Sequence, residues 1–326
     1  MPTAPTVLEP ATDPTPEQPG ATARPRGRVL AAAGVLWAGL MALHGQVPNG
    51  FGNLGSLFQT WLPWTGIAVP VLLGLAAVRR SRFAAVAALV PAVVWAVLFG
   101  GTLADKGAGG GDLTVVSHNV DEDNPDPAGT ARALAAVDAH VLALEELPTD
   151  SVEVYERALA GAYPHHAVRG GVGLWSRYPL KDVAAVPIMP WTRAMRATAD
   201  TPRGPVALYV AHLASVRVHP AAGFTVERRN EAARALATAL RAEPLPRLVL
   251  MGDFNGTSRD TALAPVFAAL RSVQQEAGDG FGFTWPAAFP VVRIDDIHVK
   301  GIAPRSSRTL PATGSDHLPV AASLKL

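Results

Sequence analysis

The chain has 326 residues, a length that suggests about two domains. Hydrophobic residues make up 49% and charged residues only 17%, against roughly 25% charged in an ordinary soluble protein, so the sequence calls for membrane segments or an unusually large core. There is no cysteine and the net charge is only +1, which excludes disulfides, zinc–thiolate sites and thiol nucleophiles.

Met1–Arg26 carries seven prolines and almost no large apolar residues, too little to bury, and reads as a disordered tail. Three apolar runs follow, at about Val29–Val47, Leu57–Val78 and Phe83–Leu103. The last two carry no charge and approach or exceed the roughly 20 residues that span about 30 Å of hydrocarbon. The first is weaker, because His44 and Gln46 lie near its end. Its alternative is a signal-peptide core, but no clear small-x-small cleavage site follows it and two further spans come after. The expected organisation is a tail over 1–26, three transmembrane helices within 27–103, a glycine-rich hinge over 104–111 and a folded domain over 112–326.

Basic residues set the orientation. Arg24, Arg26 and Arg28 precede the first span, and Arg79, Arg80 and Arg82 fill the turn between the second and third. The loop from Pro48 to Ser56 has no charge. Both basic clusters belong in the cytoplasm on this reading, and three crossings put everything after Leu103 outside: a multi-pass protein of the cell membrane with an extracellular C-terminal domain.

Beyond the hinge the pattern becomes alternating strands and helices, the mark of a layered α/β domain. Strands are expected at Leu113–Val120, His140–Leu144, Val206–Leu213, Leu248–Gly252 and Ile294–Val299. Asp126-Pro127 opens a helix to about Asp138 as N-cap and first position, and Thr225–Arg241 is amphipathic. From Ala104 onward there are 22 basic and 24 acidic residues, the opposite of a basic nucleic-acid-gripping surface.

Polar residues close these apolar strands: Ser117-His118-Asn119, Glu145-Glu146, His212, Asp253 with Asn255, Asp295-Asp296, and Asp316-His317 before the last strand. Strand ends facing one cleft are where α/β enzymes place catalytic groups. Carboxylates and amide oxygens without thiols favour a hard cation such as Mg²⁺, with Mn²⁺ as an alternative. A histidine beside an acid suits proton transfer or charge stabilisation. Taken singly each has a structural alternative: Asp253 as a helix cap, Asn255 or Asp316 in a turn, Glu146 solvated at a helix start, His212 as a packed core residue. Arg193 and Arg196 offer guanidinium forks suited to a terminal phosphate, or are solvated strand residues. His165-His166 reads as ordinary surface.

In order, Ser117-His118-Asn119-Val120, Leu144-Glu145-Glu146, Gly252-Asp253-Phe254-Asn255, Arg293-Ile294-Asp295 and Ser315-Asp316-His317 resemble the motif series of the endonuclease/exonuclease/phosphatase superfamily. Gly173–Leu180 resembles its Ser-Arg-Tyr-Pro segment. The likeness covers about Leu113 to Leu326 and implies a DNase I-like four-layer α/β sandwich. It implies Glu146 as principal metal ligand with Asn119 and Asp316 assisting, and Asp253 orienting or deprotonating the attacking water. It further implies Asn255 on the scissile phosphate, His317 on the transition state with its ring fixed by Asp295, and His212 at the second histidine position. Two departures stand out: Glu145 occupies a position usually Gln, and His118, where an aromatic is usual, is either a phosphate contact or a packed histidine. The whole arrangement resembles actinobacterial teicoplanin-resistance membrane proteins. That resemblance implies a membrane lipid or lipid-linked phosphate as substrate, such as undecaprenyl pyrophosphate, with nucleic acid disfavoured. An extracellular nuclease, a phospholipid phosphodiesterase and a non-catalytic membrane scaffold are the competing readings.

Overall fold

Apolar alternation builds two six-stranded mixed sheets, each with one face turned to the other. The computed structural model describes residues 27–219 and 221–326; the Pro-rich tail lies outside them. In chain order the C-terminal part runs β1 (Leu113–Asn119), α6 (Pro127–Ala135), β2 (Val141–Glu145), α7 (Val152–Leu159), β3 (His165–Arg169), β4 (Val172–Ser176), β5 (Leu180–Ala185), β6 (Ala194–Thr201) and β7 (Gly204–His212). It continues through β8 (Arg217–His219), β9 (Gly223–Thr225), α8 (Glu227–Arg241), β10 (Leu248–Asp253), α9 (Ala264–Phe267) and β11 (Arg271–Ser272). It ends with α10 (Val273–Ala277), β12 (Asp295–Lys300), β13 (Ala303–Thr309) and β14 (Val320–Lys325). Helices α1–α5 precede it and are described below.

The first sheet has the order β13-β14-β1-β2-β4-β3 and the second β11-β12-β10-β7-β6-β5. Inward residues of both, among them Val115, Val141, Val210, Met251 and Ile297, form the central core. Leu134, Tyr155 and Leu159 of α6 and α7 cover the outer face of the first sheet. Ala233, Leu236 and Leu240 of α8 cover that of the second. The result is a helix–sheet–sheet–helix sandwich. The expected cap of α6 is present: the Asp126 carboxylate accepts from Gly129 N at 2.8 Å.

The N-terminal region departs from three straight spans. Helix α1 (Arg28–Ala42) has 15 residues, about 22 Å at 1.5 Å per residue, short for a bilayer core. The second run begins as α2 (Leu54–Thr60), turns through a 3-10 segment at Leu62–Ile67 and resumes as α3 (Ala68–Val78), with a bend of 71°. Pro63 at the start of that segment lacks the N–H needed to continue α2. Helices α4 (Arg82–Ala87) and α5 (Leu89–Phe99) run on to Thr102 as 21 residues long and apolar enough to cross a membrane. Among the described residues this is the one unbroken helix of that kind, with the bent pair as a second candidate.

Nor is the segment before β1 a free hinge. Lys106 N donates to Gly278 O at 3.3 Å and Ala108 N to Arg305 O at 2.6 Å, pinning it along the catalytic domain.

Candidate active site

Pairing register assembles the site. Strand β10 lies parallel to β7 and antiparallel to β12, so Asp253 has His212 on one side and Asp295 on the other. In the facing sheet β1 and β2 set Asn119 beside Glu145. All these side chains occupy the inward phase of their strands: Val249 and Met251 precede Asp253, Val210 precedes His212, and Val115 precedes Asn119. Each core row therefore ends in a polar residue at the same edge of the sandwich. Gly252, at φ 148°, makes this possible, because a Cβ there would stand 1.9 Å from Ala211 O.

The two loops that follow break the alternation. Glu146 has φ 54° and Asn255 φ 47°, left-handed backbone that turns both back toward the cleft. Glu146 Oε1 lies 3.3 Å from His212 Nε2, and Asp253 Oδ2 lies 3.5 Å from the same nitrogen. Asn119 Nδ2 donates to Asp253 Oδ2 at 3.1 Å across the gap between the sheets. Asn255 N donates to Asp253 Oδ1 at 2.8 Å, and its side-chain amide donates to Asp253 Oδ2 at 3.1 Å and Leu213 O at 3.0 Å. Asn255 thus clamps Asp253, with both amide protons engaged rather than offered to a phosphate.

His317 enters from the loop before β14. Its Nδ1–H donates to Asp295 Oδ2 at 2.9 Å, leaving Nε2 toward the cleft, 4.0 Å from Asp253 Oδ2. Burial opposes the imidazolium, but Asp295, reinforced by Asp253 and Asp316, outweighs it and raises His317 to about 10. Burial and the neighbouring Asp295 push Asp253 up to about 7, against the pull of His317 and its amide donors. Burial also raises Glu146, with Arg193 and His317 opposing. His212 is held neutral, well below its ordinary value, by burial and then by Arg193. Arg193 Nη1 lies 3.0 Å from His212 Nδ1 and 3.1 Å from its Nε2, and Nε2 also faces Glu146. Asp316 is half-exposed at the rim, held through Oδ2 by the Trp285 indole N–H at 3.0 Å.

Three expected residues behave differently. His118 occupies the outward phase of β1, between Val116 and Val120 of the outer core, so strand alternation turns it away from Asn119 and the cleft. It is fully buried, bonded to Thr313 Oγ1 at 2.9 Å and kept neutral by burial, near 3: a packed histidine, not a phosphate contact. Arg196 also points outward, where Nε and Nη2 form a two-pronged pair with Glu243 at 3.0 Å each. Its fork is spent on structure and is not free for substrate. Glu145, the neighbour of Glu146 in the chain, lies wholly buried under the site with Ser117 Oγ donating to it at 3.0 Å. Burial first and Asp295 second raise it well above the carboxylate range, so it is a neutral acid beneath the cleft.

Thr284 and Arg229 carry no expectation from the sequence, and Ser315 only a place in its motif. Thr284 Oγ1 accepts from Ile294 N and Asp295 N at 3.2 and 3.3 Å. Ser315 Oγ donates to Asn119 O at 2.7 Å and accepts from His317 N at 3.0 Å, tying the loop that carries His317 to the end of β1 in the same sheet. Arg229, fully buried in α8, donates to Asn255 O at 3.1 Å and Asp260 Oδ2 at 2.6 Å. Its signal was available: residues 229, 232, 233, 236, 237 and 240 are the buried stripe of α8, and an arginine on such a stripe must have a buried partner.

The donor set suits a divalent cation. Asp253, Asp295 and His317 bring ligand atoms within 4.8 Å of one another, but His317 Nδ1 lies 3.1 and 2.9 Å from the two Asp295 oxygens. Glu146, at the mouth of the cleft, is the carboxylate left free of such a pairing, and burial above all displaces both it and Asp253 upward, the mark of buried charge that the protein alone leaves poorly compensated.

Fold and site define a class: hydrolases of phosphate esters built on two stacked mixed sheets with a carboxylate–histidine cleft. Residues 116–317 match the profile of the Endonuclease/Exonuclease/phosphatase family, and the chain belongs to that family. Among curated proteins no sequence matches. Among solved structures, mannosyl-6-phosphatase of Bacteroides thetaiotaomicron superposes with TM-score 0.55 at 16% identity, covering 66% of this chain and 100% of its own. D. rerio TDP2 complexed with single strand DNA product gives 0.54 at 20%, covering 66% and 99%. Staphylococcus aureus beta toxin gives 0.54 at 14%, covering 65% and 99%. At such identities the likeness carries the fold alone.

Proposed function

We propose that the protein is a divalent-cation-dependent phosphoesterase of the cell membrane, with its catalytic domain outside the cytoplasm. On this reading it hydrolyses a membrane-borne phosphate ester or pyrophosphate, with undecaprenyl pyrophosphate the leading candidate. The observation that carries the reading is a base and an acid of matched character in one cleft: Asp253 near 7 and His317 near 10, with Nε2 and Oδ2 4.0 Å apart. General acid–base work needs such a split between neighbouring groups. Asp253, clamped by Asn119 and Asn255, takes the proton of the attacking water. His317, fixed by Asp295, presents a positive N–H to the charge that develops on the phosphoryl oxygens. Neutral His212 lines the same region, with Nε2 3.3 Å from Glu146 and 3.5 Å from Asp253. Glu146, with Asp316 at the rim, would hold Mg²⁺ or Mn²⁺, which would polarise a phosphoryl oxygen and offset charge on the leaving oxygen. Arg193, beside His212 at the rim, supplies a cation for a second phosphate.

The relatives that act on a sugar phosphate or bind DNA support phosphate-ester chemistry and leave the substrate open. Location is supported by the apolar helix ending at Thr102 and by the arginines at 79, 80 and 82 before it. The test is a panel on the detergent-solubilised full chain: undecaprenyl pyrophosphate, a phospholipid and DNA side by side, with Mg²⁺ and with EDTA. Phosphate release from the first, abolished by EDTA and reduced by orders of magnitude in Glu146→Gln, supports the proposal. Cleavage of DNA alone would sink it.

A further inference from the structure

Helix α2 is amphipathic in the inverted sense. It buries its polar residues Ser56, Gln59 and Thr60 on the catalytic domain, where Ser56 Oγ donates to Asp260 Oδ1 at 3.1 Å and Gln59 Oε1 accepts from Thr261 N at 2.8 Å. Asn53, at its start, donates to Phe224 O at 2.7 Å. Leu54 and Trp61 are left 48% and 42% exposed. A helix on a water-facing surface does the reverse.

The apolar side of α2 forms one wall of the catalytic cleft. A cavity of about 600 Å³ has Glu146, Asp253, Asp316 and His317 along one side and Leu57, Trp61, Val218, Phe224, Trp285 and Val292 along another. Trp61 stands at the 71° bend between Leu54–Thr60 and Leu62–Val78. The apolar wall therefore continues by covalent connection into α3, whose residues are apolar on every side. One end of the cavity is chemistry for a phosphate, and the other leads toward a segment with the composition of a membrane span.

We propose that Leu57 and Trp61 are specificity-determining residues that receive the hydrocarbon carbons next to the phosphate of a long-chain alkyl or prenyl phosphate ester. The inference rests on the phosphoesterase reading above and deepens it. It assigns substrate selection to the N-terminal segment as well as to the catalytic domain. Hydrocarbon against an indole and a leucine is favourable in proportion to the area removed from water. A short, water-soluble phosphate ester has no carbons to place there.

The test uses the full chain in detergent micelles with Mg²⁺ and compares undecaprenyl pyrophosphate with methyl phosphate, whose single carbon cannot reach the wall. A single methylene in an apolar pocket is worth roughly tenfold or more in discrimination. The double variant L57A/W61A should therefore lose at least about tenfold in kcat/KM on the prenyl substrate and less than about twofold on the soluble ester. Trp61→Phe alone should keep most of the prenyl rate. Equal losses on both substrates would mean a merely structural role and overturn the proposal, as would no loss on either. Faster cleavage of single-stranded DNA, lost in the same variants, would assign the wall to nucleobases instead and also overturn it. A second measurement separates this inference from the reading beneath it. An alkyl phosphate brominated next to its headgroup should quench tryptophan fluorescence, and Trp61→Phe should remove part of that quenching. Unchanged quenching in Trp61→Phe refutes the lipid wall whatever the turnover, whereas quenching with no hydrolysis of any phosphate ester refutes the phosphoesterase reading alone.

Discussion

Replacing Asp295 by Asn removes the charge that keeps His317 protonated while retaining the shape of the side chain. The rise of His317 from its ordinary 6.5 to about 10 corresponds to roughly 5 kcal/mol of preference for the imidazolium. Asp295 supplies the largest share, through a direct hydrogen bond at 2.9 Å and its charge; Asp253 at 4.0 Å and Asp316 at 3.7 Å supply the rest. Because the folded value is raised, this preference stabilises the fold fully below pH 6.5 and disappears as pH climbs through 10. On the proposed mechanism activity follows the same limb, with the protonated ring as the working form. In wild type, kcat/KM should hold on the alkaline side until near pH 10. In Asp295→Asn burial regains its influence and the alkaline limb should move down by at least about two pH units, so the loss at pH 9 reaches about tenfold or more while at pH 6 it is far smaller. The acid limb, set by Asp253, is a poorer readout, because a bound dication lowers that carboxyl by its own charge. The assay is a kcat/KM profile on a soluble phosphate ester at fixed Mg²⁺. A uniform loss at every pH, with the alkaline limb unmoved, would refute the assignment of His317 as a cation maintained by Asp295.

Three further outcomes follow from the same inventory. Arg196→Ala should leave kcat and KM within about twofold yet lower unfolding stability by about 3 kcal/mol, since it strands Glu243, whose side chain is 2% exposed; a large KM increase would reinstate Arg196 at the substrate. Arg229→Ala leaves Asp260 buried without its partner and should cost about 3–5 kcal/mol in denaturant melts, together with a fall in kcat through Asn255. Glu145→Gln removes a buried acid whose raised pKa makes folding less favourable as pH rises above the ordinary carboxylate value; the variant should be more stable than wild type by about 1–3 kcal/mol at pH 8 and show no such gain at pH 4, read by thermal unfolding.

The catalytic domain was legible because its signals are short-range. Strand alternation and the polar residue closing each apolar run located Asn119, Glu146, His212, Asp253 and Asp295 to within a residue of the observed strand ends, and Asp126 marked its helix through cap chemistry. The errors share one cause, that sequence does not give the phase or the partner of a polar side chain. His118 and Asn119 are adjacent, yet one faces the outer core and the other the cleft. Arg193 and Arg196 lie three residues apart on neighbouring turns of strand and loop, yet only Arg193 reaches the rim, because Glu243, 47 residues further on, claims the other. Hydropathy alone saw Leu57–Val78 as one continuous run. It did not register that Ser56, Gln59 and Thr60 are the polar side of a helix that docks, or that Pro63 breaks the span where Trp61 meets the cleft.

That docked helix also reaches the base through hydrogen bonds. Ser56 of α2 donates to Asp260, Asp260 pairs with Arg229, Arg229 donates to Asn255 O, and Asn255 N donates to Asp253. Every group between Ser56 and Arg229 is buried, so a break in the chain exposes no water to replace the lost partner. The left-handed turn at Asn255 is a strained conformation for a residue with a side chain, and the surrounding contacts must hold it. Arg229 does so from within the protein, and α2 adds a contact to the same network from the N-terminal segment. Displacement of α2 would therefore act twice, removing the apolar wall of the cleft and loosening the turn that aims Asp253. Such coupling favours an enzyme whose catalytic competence depends on how its N-terminal helices sit, and a substrate that arrives from the same side as those helices.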